Sequence, residues 1–149
     1  MSELGTVLYI GGFELPDKNA AAQRVVGIAK SLRDMGYHVR FVNALKECKA
    51  PATNKEYFGF STFEYKRERK SDYLFTGKTV VSIIKNVKPN IIIAYNYPAL
   101  ALNRVRKYCQ SNGIKCIADV TEWYRASEGT TIYKLVKTLD SNFRMRYVH

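Results

Sequence analysis

The chain is poor in the residues that staple or ligate. Its 149 residues include 3 cysteines and 2 histidines, and no Cys-x-x-Cys occurs. An odd set of far-separated thiols (Cys48, Cys109, Cys116) makes no closed disulfide framework, and a closed zinc site needs about four well-spaced ligands. Buried, reduced thiols are the simpler account, and a chain this long encloses enough core to need no staple. Long apolar runs are missing too. The longest, Ile91 to Leu102, is interrupted by Asn96 and Pro98 and falls short of the roughly 20 apolar residues of a membrane-spanning helix. Residues 1–16 carry neither a basic start nor a sustained apolar stretch, so no secretory signal is read there. No internal repeat or low-complexity segment is present. The net charge is +11, yet no block of six like charges exists, and the densest run, Lys66-Arg67-Glu68-Arg69-Lys70, already contains an acid. That excludes a disordered basic tail and leaves a folded domain with a positive field.

What is present is ordinary for one globular domain: 46% apolar and 25% charged residues. Thr6 to Ile10 is a short apolar run rich in β-branched residues, ended by Gly11-Gly12, and reads as a buried strand entering a tight loop. The loop from Phe13 to Lys18 cannot be helical through Pro16. Asn19 then offers a helix N-cap, and Val25, Ile28, Ala29, Leu32 and Met35 recur at helical spacing up to Gly36. His38 to Val42 is the next strand, so the first forty residues form a βαβ unit and imply a parallel sheet. Residues 43–71 are the least legible, with a short edge strand expected between Phe58 and Tyr65. A helix is predicted from Tyr73 to Val87, with Val80, Val81, Ile84 and Val87 on one side. Ile91 to Tyr95 has the continuous apolar character of a central strand. Pro98 opens a helix carried by Leu102, Val105 and Cys109 to Asn112-Gly113. Ile114 to Ala118 reads as another buried strand closing at Asp119. A last helix starts near Thr130, with Ile132, Leu135, Val136, Leu139 and Phe143 as its apolar stripe. The expected class is α/β, a doubly wound, Rossmann-like parallel sheet. No strand follows that helix, as if a longer alternating domain had been cut.

Ligands of open parallel sheets lie beyond the carboxyl ends of the strands. That rule selects Gly11 and Gly12, then Asn96 and Tyr97, then Asp119, Thr121, Glu122, Trp123, Tyr124 and Arg125. A glycine pair before a helix N-terminus suits close approach of an anion such as phosphate; the alternative is a plain chain reversal. Neither Gly-x-Gly-x-x-Gly nor a P-loop is present. Gly77-Lys78-Thr79 spells the tail of a P-loop, but Asp72 stands where the upstream glycine belongs and no apolar strand precedes it. Asp119 to Arg125 brings carboxylates, a hydroxyl, aromatics and a guanidinium together after a strand. A carboxylate beside aromatic surface serves as acid, base or sugar-hydroxyl acceptor. The alternative is that Asp119 caps a turn while Trp123 and Tyr124 seal the sheet. Asn96-Tyr97-Pro98 reads equally as a helix start.

The glycine pair together with "AAQRVVGIAKSLRDMGYHVRFV" of residues 21–42, and "IADVTEWYRASEG" of residues 117–129, resemble the N-terminal half of the GT-B glycosyltransferases. The likeness is greatest to the retaining family 4, the group 1 transferases. It covers nearly the whole chain. The resemblance implies transfer of a sugar from a nucleotide-sugar donor to an acceptor hydroxyl with retention, in polysaccharide or glycolipid synthesis, without a metal ion or other cofactor. It implies an acceptor-side domain spanning residues 1–149, with the donor-binding C-terminal domain outside it and no transfer by this chain alone. Gly11 and Gly12 match the loop that faces the donor phosphates. Asn96, Tyr97, Asp119, Thr121, Trp123, Tyr124 and Arg125 fall on the acceptor side. Many members carry a histidine beside the transferred sugar; Thr121 and Glu122 stand there in this chain, and Glu122 is the expected sugar-hydroxyl contact. The expected partners are a nucleotide-sugar, a sugar or lipid-linked acceptor, and the missing domain. The expected location is the cytoplasm, and the basic helices are compatible with a peripheral contact at the inner face of an anionic membrane. The other reading is a free-standing Rossmann-type module that binds a nucleotide or phosphorylated ligand without chemistry. No nucleic-acid partner is expected, since the aromatics cluster after a strand end and form no stacking platform on a sheet face.

Overall fold

The computed structural model describes residues 4–46, 52–67, 71–121 and 131–147. Among these, strands β1 (Thr6–Gly11), β2 (His38–Leu45), β3 (Ala52–Tyr57), β4 (Phe60–Lys66), β5 (Ile91–Tyr95) and β6 (Lys115–Asp119) form one sheet in the order β3-β4-β2-β1-β5-β6. All neighbours run parallel except β3, which is antiparallel to β4. Helices α1 (Ala20–Asp34), α2 (Lys78–Val87), α3 (Ala99–Ser111) and α4 (Thr131–Tyr147) lie between or after the strands. The chain is α/β with a mostly parallel, Rossmann-like sheet.

Alternation along β1 explains the layering. Val7 and Tyr9 enter a core shared with Val25 and Ala29 of α1, whereas Leu8 and Ile10 enter a second core with Ile84 of α2 and Leu102 of α3. Successive strand residues point to opposite faces, so a run buried at every position needs helices on both sides. The direction of winding reverses at β1: α1 leads to β2 on one side, and α2 delivers β5 to the other. The carboxyl ends of β1 and β5 therefore flank a topological switch point.

Several sequence expectations change in the folded chain. The edge strand expected from Phe58 is the second arm of a hairpin. Phe58 and Gly59 both take positive φ (54° and 77°) and form its turn, so β4 is internal and β3 is the edge. Two central residues of positive φ match the twist of a two-residue hairpin loop. The single helix expected from Tyr73 is broken: Asp72–Thr76 form one π-helical turn, and Gly77 at φ 56° separates it from α2. The Asp72 carboxylate folds back onto the backbone N–H groups of Lys78 (2.8 Å) and Thr79 (3.2 Å), so α2 starts under a cap that the continuous pattern hid. In α1 the Asn19 cap forms as expected, accepting from the Ala22 N–H at 2.9 Å, but Met35 is exposed at the helix end while Ala22 and Val26 are buried.

Two corrections concern the far edge. The strand read as buried after Ile114 is half-exposed, because β6 pairs with β5 alone among the described residues. The stripe on α4 faces outward, with Ile132 76% and Leu139 59% exposed. The flank of α4 that carries Asp140 meets α3 instead, where Asp140 accepts from the Ala99 N–H at 2.8 Å and caps the α3 N-terminus. Phe143 has no described side chain. Within the described residues, no helix is long and apolar enough to cross a membrane.

The orientation of α3 is testable. Leu102 is buried and Leu100 is 42% exposed, so Leu102→Ala should cost about 3 kcal/mol in urea unfolding and Leu100→Ala about 0.5 kcal/mol or less.

Candidate functional site

The carboxyl edge of the sheet gathers two groups of polar side chains on either side of the glycine loop. The first lies on the α1 face. Tyr9, buried in β1, donates its hydroxyl to Asp119 at the end of β6, and Arg24 of α1 reaches the other carboxylate oxygen at 2.8 Å. These strands align because β5 lies between them, pairing Tyr9 with Ile93 and Tyr95 with Asp119. Burial, then the bond to Asp119, pushes the Tyr9 phenol far above its ordinary value, and the same carboxylate strengthens the protonation of Arg24. Asp119 is thus a tied carboxylate that fixes β1, α1 and β6 together.

Asn96 and Thr121 form a reciprocal pair beside it. The Asn96 side-chain amide donates to Thr121 Oγ1 at 2.8 Å, and the Thr121 N–H donates back to Asn96 Oδ1 at 3.1 Å. Asn96 sits at φ 41°, a left-handed conformation that asparagine tolerates better than most residues. The Tyr95 hydroxyl lies 3.4 Å from Thr121 Oγ1. Asn96, Asp119 and Thr121 are therefore brought together, as the strand-end rule expected. Tyr97 is not with them. Its side chain is 2% exposed and packs under the opposite face, 5.2 Å from the Tyr73 ring centre. Glu122, Trp123, Tyr124 and Arg125 lie outside the described residues.

The glycine pair divides into two roles. A Cβ on Gly11 would stand 2.7 Å from the buried Phe13 ring and 3.1 Å from Tyr95 Cβ, so this glycine makes room for the core. A Cβ on Gly12 would stand 2.0 Å from Arg67 Nη2. Arg67, just past β4, donates its Nε to the Ala44 carbonyl at 2.9 Å and lays its guanidinium 4.0 Å above the Tyr73 ring. Sequence reasoning noted Arg67 only as part of a charge run. Its place beside Gly12 depends on β4 lying next to β2, which the illegible region concealed.

A buried polar chain holds the loop from below. The Phe13 N–H donates to Asn43 Oδ1 (3.1 Å), Asn43 Nδ2 donates to Glu64 Oε1 (3.1 Å), and Lys55 meets the other Glu64 oxygen at 2.6 Å. Asn43 and Glu64 are both fully enclosed, which the alternation of polar residues inside apolar strands could have flagged. Buried polar groups persist only where they are hydrogen-bonded. Among the described residues, no cluster of three or more His, Cys, Asp or Glu residues is arranged to hold a metal. Cys109 and Cys116 are free thiols, the first buried.

No protein-family model matches this chain, and no curated protein or solved structure matches it either.

Two predictions separate these roles. Gly11→Ala should lose about 1–3 kcal/mol by overpacking against Phe13. Gly12→Ala meets the Arg67 guanidinium at 2.0 Å and the Ala44 carbonyl oxygen at 3.3 Å, so it should lose about 1–2 kcal/mol while displacing Arg67, seen as a shift of its Nε–H resonance. For the phenol, the folded value lies above the ordinary 10.0, so the fold favours the protonated form. That contribution is complete below pH 10 and drains away above it, where the unfolded chain ionises first. Tyr9→Phe should flatten the loss of stability through this alkaline range without abolishing it, because burial also pushes Tyr65 up to about 12.

Proposed function

We propose that this chain is the acceptor-side, Rossmann-like half of a GT-B retaining glycosyltransferase, moving a sugar from a nucleotide-sugar to an acceptor hydroxyl in polysaccharide or glycolipid synthesis. The observation that carries the reading is the Gly11-Gly12 turn at the switch point between β1 and β5. A polar strand end, Asn96, Asp119 and Thr121, stands beside it. This is where open parallel sheets hold ligands, and where the resemblance puts donor phosphates and transferred sugar.

In this reading the described residues orient rather than react. Asp119 is occupied by Tyr9 and Arg24, so its part is to fix the crevice wall, and Asn96 and Thr121 offer an amide and a hydroxyl to sugar hydroxyls. Glu122 follows Thr121 directly in sequence and is the proposed sugar-hydroxyl contact. The nucleotide grip belongs to a second domain.

Saturation-transfer NMR should therefore show short-chain polyprenyl-phosphate sugars binding this chain, with UDP-glucose and GDP-mannose much weaker. With both substrates present, the chain alone should transfer no sugar. Tight nucleotide binding without acceptor binding would favour a non-catalytic Rossmann-type module. Robust transfer by residues 1–149 alone would overturn the half-enzyme assignment.

A further inference from the structure

A cavity of about 520 Å³ opens at the carboxyl end of β4, between the Arg67 segment, the π-helical turn and the start of α2. That volume falls within the range of small-molecule sites, roughly 300–1,000 Å³. Among the described residues, three cations line it, Lys66, Arg67 and Lys78, against one carboxylate, Asp72.

The carboxylate is already spent. Partial burial works to raise the Asp72 carboxyl, but hydrogen bonds from the Thr76 and Thr79 hydroxyls and the Lys78 and Thr79 N–H groups outweigh it. Together they hold the carboxyl below its usual value. Asp72 thereby answers the positive end of α2, and it points its oxygens at that helix rather than at the lysines. Among the described residues, no ion pair with a carboxylate answers the cations in the same way. The ion pairs Arg24–Asp119 and Lys55–Glu64 lie elsewhere in the fold, and neither involves Lys66, Arg67 or Lys78.

Arg67 is also held before any ligand arrives. Its Nε is fixed on the Ala44 carbonyl, its plane rests on Tyr73, and one Nη atom fits against the bare Cα of Gly12. A guanidinium pinned at Nε still offers its Nη donors, and a planar fork of this kind suits phosphate oxygens. Fixing it in advance removes the ordering cost that a free surface arginine meets on binding. Tyr65 and Tyr73 add aromatic wall beside the charge, and the volume leaves room for more than a phosphate group.

We propose that this cavity binds the phosphate group of a phosphorylated small molecule, with Arg67 as the principal contact and Lys66 and Lys78 flanking it. The proposal rests on the acceptor-side reading above and deepens it, by giving the acceptor an anionic group. The shared chemistry is a sugar phosphate or a lipid phosphate headgroup.

The test is a titration of the full chain followed by ¹H–¹⁵N NMR of backbone amides and arginine Nε–H groups. The probes are glucose 1-phosphate, dihexanoyl phosphatidic acid below its micellar concentration, and neutral glucose. Either phosphate should shift Arg67 Nε–H and the Gly12, Lys78 and Thr79 amides, while glucose should not. Tighter binding of the lipid assigns the headgroup, and tighter binding of the sugar phosphate assigns a soluble ligand; both support the site. Arg67→Ala should weaken binding about tenfold or more, because hydrogen bonds to charged groups are lost. Arg104→Ala, an exposed cation on α3, should leave it within about twofold, since it contributes only to the general field. Should Arg67→Ala unfold the chain, Lys78→Ala at an exposed position carries the same comparison. Absence of shifts with both phosphates, or equal weakening by the cavity and α3 substitutions, would overturn the proposal. Phosphate binding that survives in a chain whose acceptor panel fails would keep this site and remove the glycosyltransferase reading. Acceptor binding that ignores Arg67→Ala would do the reverse.

Discussion

Burial of β1 on both faces is the constraint on which the rest of the structure depends. Val7, Leu8, Tyr9 and Ile10 are all enclosed, and they alternate between two separate cores. Neither core can close unless helices cover both sides of the sheet, and the chain must therefore wind in one direction to reach β2 and in the other to reach β5. The crevice at the end of β1 follows from that reversal. The glycine pair stands at the crevice because β1 ends there, and what surrounds it is set by which strands become its neighbours.

Polar residues in this fold act mainly as ties between elements distant in sequence. Asp119 binds Tyr9 and Arg24, Asn43 links the β1 loop to Glu64, and Asp140 caps α3 from α4. Asp72 ties the π-helical turn to α2. These four carboxylates, Asp119, Glu64, Asp140 and Asp72, each accept from a specific donor, as partly buried charge requires. The net charge of the chain is +11. Arg67 and Arg33 are each held by a carbonyl, an aromatic ring and a glycine, and of the two only Arg67 lines the cavity.

The glycine pair shows how one short motif serves two physical purposes. Gly11 accommodates an aromatic ring within the core, whereas Gly12 accommodates a guanidinium on the rim of a cavity. A side chain at the first position presses on packed core atoms, and one at the second pushes the Arg67 guanidinium off its seat. The loop therefore touches Arg67 on one side and Tyr95 on the other, and the Tyr95 hydroxyl lies 3.4 Å from Thr121 Oγ1.

Much of the sheet was legible because its signals are local. A run buried on both faces, such as Ile91 to Tyr95, looks like a central strand, and an asparagine before an apolar periodicity looks like a cap. The strand-end rule likewise brought Asn96, Asp119 and Thr121 to one edge. Other features had no local signal. Thr121 meets Asn96, and Arg67 meets Gly12, only through strand pairings made by residues far apart in the chain. Tyr97 followed a strand end yet turned into the core, since the step from β5 into α3 decides which way its side chain points. The stripe on α4 had a helical period, but periodicity marks only an apolar face, and the Asp140 cap on α3 shows which side of the helix docks. The sequence by itself determined the alternation of strands and helices, because period and capping are properties of neighbouring residues. Only the tertiary structure decided which side chains share a crevice, because that depends on the order in which strands lie side by side.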